Sequence, residues 1–248
     1  LHEENQRRGK GAPEFELMDT GVFGDDRYFD VFVEYAKADA EEILIRVSAV
    51  NRGPEVARLN LLPTIWFRNR WTWGDHHDPR PSLRPVDAGA PTVIQVEHFY
   101  YGPRWLHCEG APELLFTEND SNNQRLFGTT NASLFVKDGV NDYIVGGRHE
   151  AVNPEQVGTK AAANYLVTIK PGETATVRLR LTDKPPAPGA EVFGDEFDRI
   201  FADRLREADE FYDTVTPAGL SADARNIMRQ AFAGLLWSKQ FYHYVVKK

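Results

Sequence analysis

Apolar and polar residues alternate along Phe29-Asp-Val-Phe-Val-Glu-Tyr35, setting Phe29, Val31, Val33 and Tyr35 on one face and Asp30 and Glu34 on the other. That period of two predicts a strand. Ile43–Val50 follows, rich in β-branched residues and closed by the turn signature Asn51-Arg-Gly-Pro54. A third apolar stretch runs from Leu59 to Phe67, and Pro63 within it predicts an edge strand or a bulge. Strands are also predicted at Thr92–Phe99 and Glu113–Thr117. Ala162–Ile169 and Ala175–Leu181 read as a hairpin about Lys170-Pro-Gly-Glu173. Many short strands with turn punctuation predict a mainly β fold, an antiparallel β-sandwich over residues 1–183.

The period then changes. Lys184-Pro-Pro-Ala-Pro-Gly189 opens a stiff Pro-rich linker over 184–194. In 195–215, Phe197, Ile200, Phe201, Leu205, Ala208, Phe211 and Tyr212 form one stripe of an amphipathic helix. Thr216-Pro-Ala-Gly219 breaks it, and Ser221 is placed to cap a last helix within 216–248, with Asp223 in its first turn. Ile227, Met228, Ala231, Phe232, Leu235 and Leu236 make a wide apolar face there. Trp237 falls on the opposite side, among Asn226, Arg229, Gln230 and Gln240. A helix that needs burial on two sides belongs in a larger helical assembly than these 248 residues supply.

Composition narrows the function classes. The chain is 42% apolar and 27% charged, ordinary for a globular protein, and its net charge of −8 argues against a nucleic-acid partner. No apolar run is long enough to span a bilayer, so no membrane partner is expected. Cys108 is the only cysteine, which excludes an internal disulfide and favours a reducing, cytoplasmic setting. Neither a phosphate loop, a dinucleotide fingerprint, HExxH nor GxSxG occurs, and no cofactor is expected.

The segment Arg225-Asn-Ile-Met-Arg-Gln-Ala-Phe-Ala-Gly-Leu-Leu-Trp-Ser-Lys-Gln-Phe-Tyr-His-Tyr244 resembles the stretch entering the helical barrel of bacterial glucosidases of glycoside hydrolase family 63. Phe15–Phe23, Asp26–Tyr35, Leu62–Asn69, Trp71-Thr-Trp-Gly74 and Gly158-Thr-Lys-Ala-Ala-Ala163 are similar to the same proteins. The resemblance implies a β-sandwich, possessing or lacking its first strands, then a linker helix and the first helix of an (α/α)6 barrel. It also implies an inverting hydrolase whose two carboxylic groups lie in barrel segments after Lys248. No catalytic residue is then expected in this chain. The missing barrel of the same chain and a carbohydrate, an α-glucoside or oligosaccharide, are the expected partners. The rival reading is a stand-alone carbohydrate-binding or structural module.

Candidate sites are few. Arg68, Asn69, Trp71 and Trp73 leave an apolar strand together, offering indole faces for sugar rings and donors for hydroxyls; packing at a domain interface is the structural alternative. Gly74-Asp-His-His-Asp-Pro79 carries metal-ligand types, but adjacent histidines on an extended segment point apart, and a solvated loop is favoured. Thr117–Asn123 is rich in oxygen ligands for calcium yet lacks EF-hand spacing, so a capped turn is favoured. Lys239, Gln240 and His243 point to barrel packing more than to chemistry. Cys108 beside His107 and Glu109 reads as buried filler. A mutarotase-like enzyme would need a His and a Glu converging in a groove, for which His98 with Glu97 and His149 with Glu150 are the adjacent offers.

Overall fold

The computed structural model describes residues 1–72, 78–87, 89 and 91–239. The chain is mainly β, with antiparallel sheets, and among the described residues its strands fall into two of unequal width. In spatial order the large sheet holds β1 (Phe29–Lys37), β2 (Ile43–Asn51), β10 (Thr174–Thr182), β7 (Gly102–Cys108), β6 (Thr92–His98) and β5 (Ser82–Val86). The small sheet is built on β9 (Lys160–Ile169). On one edge of β9 lie β3 (Ala57–Leu61) and β4 (Thr64–Trp66) in a single unbroken register. Both β4 and β8 (Glu113–Thr117) pair with the same end of β9, so β8 takes the other edge. Pro63 joins β3 to β4 without a bulge, and its carbonyl accepts from Ala163 N at 2.9 Å. It sits on an edge strand as expected, although its nitrogen, lacking a hydrogen, faces β9.

The hairpin expected between 162–169 and 175–181 does not form. β9 pairs with β3, β4 and β8, whereas β10 pairs with β2 and β7. The turn Lys170–Glu173 carries the chain from one sheet to the other. Asn51, only 2% exposed, holds that crossing. Its side-chain Nδ2 donates to Ile169 O at 2.9 Å and Glu55 O at 2.7 Å, while its Oδ1 accepts from Gly53 N at 2.9 Å. Its backbone N donates to Glu173 O, and its carbonyl accepts from Gly172 N, a glycine at φ 72°. Alternation fits a hairpin and a sheet-to-sheet crossing equally, because both leave one face of each strand buried. Strands β5 and β7 were not expected at all: Pro85, Pro103 and charged Arg84 and Arg104 blur their pattern.

One apolar core lies on both sheets. Val47, Ile94, Val96, Leu106, Val177 and Leu179 come from the large sheet, and Leu61, Phe116, Ala161, Ala163 and Ile169 from the small one. β9 is buried on its other face too, where Ala162 meets Leu115, Val140 and Val152. Val140 belongs to the short helix Gly139–Ile144. The three consecutive alanines have no exposed surface. Gly158 shows why this stretch is small throughout: it exchanges backbone hydrogen bonds with Leu83 at 2.8 and 3.1 Å, and a Cβ there would lie 2.3 Å from Thr117 O.

The outer face of the large sheet is polar in the middle, with Arg46 on Glu34 and Ser48 against Thr176. The Pro-rich segment lies along part of that face. Arg180 donates to Val192 O at 3.2 Å, and the Arg178 guanidinium lies 5.6 Å from the Phe193 ring and 5.5 Å from the Phe197 ring. The first compact unit accordingly runs from Leu1 to Phe197.

The second unit, residues 198–248, contains most of the helix Asp195–Val215 and the helix Ala222–Trp237. Ser221 Oγ accepts from Ala224 N at 3.2 Å, the N-cap expected of it. Within this unit Arg225 pairs with Asp213 at 2.5 Å, Arg229 pairs with Asp209, and Arg229 also lies 4.7 Å from the Tyr212 ring. The last helix has no buried residue: Ile227, Leu235, Leu236 and Trp237 are all more than half exposed.

Replacing Gly158 by Ala is expected to destabilise the first unit by about 1–3 kcal/mol, because the new methyl meets backbone rather than a movable side chain. Denaturant unfolding checks this; an unchanged midpoint would mean that the Leu83–Gly158 contact does not constrain the core.

Candidate functional site

Past Trp66 the chain leaves the small sheet and runs beside the turn between β6 and β7. Two side chains pin it there. Asn69 Nδ2 donates to Asp120 Oδ1 at 2.5 Å and to Asn119 O at 3.3 Å, and Asn119 Nδ2 donates back to Phe67 O at 2.8 Å. The Asn69 Oδ1 accepts from Thr72 N at 3.3 Å and from its hydroxyl at 2.9 Å, closing the loop on itself. Asp120 is held above the usual carboxylate range by burial, against the pull of the Arg80 charge and with repulsion from Glu118. Glu118 is in turn bound by Arg80 at 2.5 Å and by the Thr159 hydroxyl at 2.7 Å.

The β6–β7 turn is His98-Phe-Tyr-Tyr101. The His98 ring folds back so that Nδ1 accepts from Tyr100 N at 3.1 Å and from Tyr101 N at 3.4 Å. Nδ1 is therefore unprotonated and Nε2 carries the hydrogen. Phe67 lies 4.4 Å from the His98 ring, Phe99 4.9 Å and Tyr101 4.8 Å. Burial holds His98 below the ordinary imidazole pKa, with nearby Asp78 opposing.

Loop and turn together enclose a hollow of about 480 Å³, lined by Arg68, Arg70, Trp71, Asp78 and the four rings of the turn. Phe99, Tyr100 and Tyr101 are between 53% and 76% exposed, so the platform is open to a ligand. Arg70 is held to Asp78 at 3.2 Å. The Trp71 indole N–H is buried and has no hydrogen-bond partner among the described residues. Exposed rings beside guanidinium groups suit the face of a polyol such as a sugar.

Arg68 and Trp71 thus meet at one hollow. Asn69 braces the loop from behind, both ends of its amide being engaged within the protein. Trp73, like Gly74–His77, lies outside the described residues. The turn His98–Tyr101 went unnoticed as a ring platform, although four consecutive ring-bearing residues before a glycine are a legible signal. Within Thr117–Asn123 the Asn122 Oδ1 accepts from Arg125 N at 3.0 Å, capping the helix Asn123–Phe127, whereas the buried Thr117 hydroxyl has no hydrogen-bond partner among the described residues.

The other candidates separate. Glu97 accepts from Gln95 on the face of β6 away from its neighbour's ring, and His149 stands edge-on to Tyr143 at 4.6 Å. Glu97 and His98 therefore do not converge. Cys108 is fully buried, and burial pushes its thiol up to about 12, far from a nucleophile's range. His107, one residue away, faces the opposite side of the sheet. It borders a second hollow of about 440 Å³ with Glu42, Arg180 and Lys184. Burial works to raise the Glu42 pKa, but Arg180, then Lys184, outweigh it and hold the carboxylate charged.

No protein-family model matches the chain. It is 38% identical over 282 aligned positions to Uncharacterized protein YMR196W of Saccharomyces cerevisiae, an alignment covering 98% of this chain and 26% of that protein. The chain thus spans about a quarter of the length of this relative. Among solved structures, a polysaccharide lyase overlaps 64% of this chain and 20% of its own at 12% identity and a TM-score of 0.39, a likeness that identifies neither fold family nor activity. No described helix is long and apolar enough to cross a membrane.

Acid should loosen the turn. The folded pKa of His98 is depressed, so the unfolded chain takes up the proton first, and stability present above the ordinary value of 6.5 is lost as pH falls through it. His98→Asn keeps an acceptor for the two N–H groups and does not titrate. Its unfolding midpoint should fall less than that of the native chain between about pH 7.5 and about pH 5.5; equal losses would show that His98 does not couple the turn to pH.

Proposed function

We propose that the first unit is the two-sheet β-sandwich portion of a glycoside hydrolase of glucosidase type, non-catalytic in itself. The last helix then opens an (α/α)6 barrel that carries the two carboxylic groups. The observation that carries this reading is the hollow where Trp71, Arg68 and Arg70 meet the rings of His98–Tyr101. A sugar ring would lie on Tyr101, with Tyr100 edge-on beside it and the guanidinium groups donating to its hydroxyls. The open apolar faces of the last helix, with Trp237 at 88% exposure, fit a helix whose partners belong to a barrel. The spread of the family 63 resemblance over most of the chain supports the glucosidase assignment.

Tyr101→Ala and Trp71→Ala should each weaken binding of an α-gluco-oligosaccharide about tenfold by calorimetry, the scale of one lost ring contact. Tyr35→Ala, away from the hollow, should leave affinity unchanged. Lower stability with unchanged affinity in the Trp71 variant would return that ring to structural packing.

The 248-residue chain itself is expected to release no glucose from an α-glucoside, and measurable release would overturn the non-catalytic assignment. Reading the gene past codon 248 separates the hydrolase from a stand-alone carbohydrate-binding module. Several hundred codons of apolar-periodic helices support the former, and an immediate stop codon the latter.

A further inference from the structure

At the β5 edge of the large sheet the two sheets are joined by backbone hydrogen bonds. There Leu83 of β5 bridges to Gly158, just before β9, through two backbone hydrogen bonds. At the other end six strands face a sheet three strands wide, and among the described residues no strand of the small sheet lies beyond β3 and β4 to cover β1. Val31, Val33 and Tyr35 lie on the same face as Val47 and Ile45, which belong with the core, yet they are 47%, 50% and 68% exposed. They open into an apolar cleft of about 500 Å³ whose opposite wall is Leu61 to Trp66.

That wall is an open strand edge. Ala57–Trp66 pairs with β9 along one side, and among the described residues no strand pairs with the other. The carbonyl of Pro63 faces β9, so by the alternation of an antiparallel ladder the backbone groups of Arg58, Asn60 and Leu62 face outward. The proline's missing N–H is on the paired side and does not block the free edge. An added strand would lie one inter-strand spacing, roughly 4.8 Å, beyond β3, with its inward side chains over β2 and β1 across the usual sheet separation of about 10 Å. One added strand would satisfy two deficits together, the unpaired edge and the uncovered apolar face.

We propose that this slot is filled by an extended strand of the same polypeptide, contributed from outside these 248 residues and apolar at alternate positions. The relative that aligns with nearly all of this chain has about three-quarters of its length outside the matched region, and a counterpart of that length in this protein would supply the strand. A second copy fits less well, because the Leu59 and Leu61 side chains of its own edge strand already serve its own core. The inference is independent of sugar binding.

Val33→Asp tests it, compared in the complete gene product and in residues 1–248 alone. A charge placed under an added strand should lower the melting temperature of the complete protein by several degrees, while the shorter chain, where Val33 is half exposed, changes little. Val33→Thr, nearly isosteric, gives a milder second variant that should rank between the two. Amides of residues 57–66 should also exchange at least about tenfold more slowly in the complete protein, the mark of a newly paired edge. Three results would overturn the proposal: equal exchange with a silent Val33→Asp in both forms, a gene product ending at Lys248, or a dimer of the 248-residue chain that Val33→Asp splits.

Discussion

The first half of strand β9 is buried on both faces and paired on both edges, and the first unit is arranged around that constraint. Its two faces serve different neighbours: Ala161 and Ala163 meet the large sheet, and Ala162 meets Leu115 and Val140. A strand in that position has no room for large side chains where the layers are closest, hence three alanines with no exposed area and, just before them, a glycine against Thr117 O. The same strand sets the register of β3, β4 and β8. At its far end, Asn51 gathers the carbonyls of Ile169 and Glu55, so the chain can cross to β10 without leaving buried polar groups unpaired.

The hollow depends on that frame. β4 ends where it does because β9 does, and the loop beyond it is fixed by Asn69 and Asn119 rather than by packing alone. Asn119 itself is tied to Thr159, whose hydroxyl accepts from Asn119 N at 2.7 Å. Thr159 lies between Gly158 and β9, so the brace behind the hollow runs straight into the most constrained part of the core. The opposite wall is carried by the neutral His98 ring, which orders two backbone N–H groups in place of a longer turn. Rigid support on both sides is what an aromatic platform needs if ring contacts are to be realised without further ordering cost.

Burial elsewhere follows from which charges find partners. Glu42 is 3% exposed and stays ionised because Arg180 and Lys184 both reach it, and Arg180 also holds Val192 O. The segment after β10, rich in proline and lacking the donors of a strand, is thereby fastened to the sheet's outer face. Its composition alone describes a stiff extended piece of chain; the contacts of Arg178 and Arg180 turn it into a cover.

Period-two alternation was sufficient to determine most of the strands, and 3.6-residue periodicity both long helices, since each pattern reflects a local geometry that any neighbour must respect. The Ser221 cap and the edge position of Pro63 were legible for the same reason: each concerns one residue's own backbone groups. The grouping of Arg68 and Trp71 at a loop was also visible, and so was the expectation that the last helix leaves apolar faces uncovered. Tertiary structure alone decided the rest. It separated β9 and β10 into different sheets, recruited the Pro-interrupted β5 and β7, and turned Asn69 inward as a brace. It also brought His98–Tyr101 opposite Trp71 across the fold. Those outcomes depend on which strands exchange hydrogen bonds and which side chains meet across a gap, and residues distant in sequence carry no local mark of either.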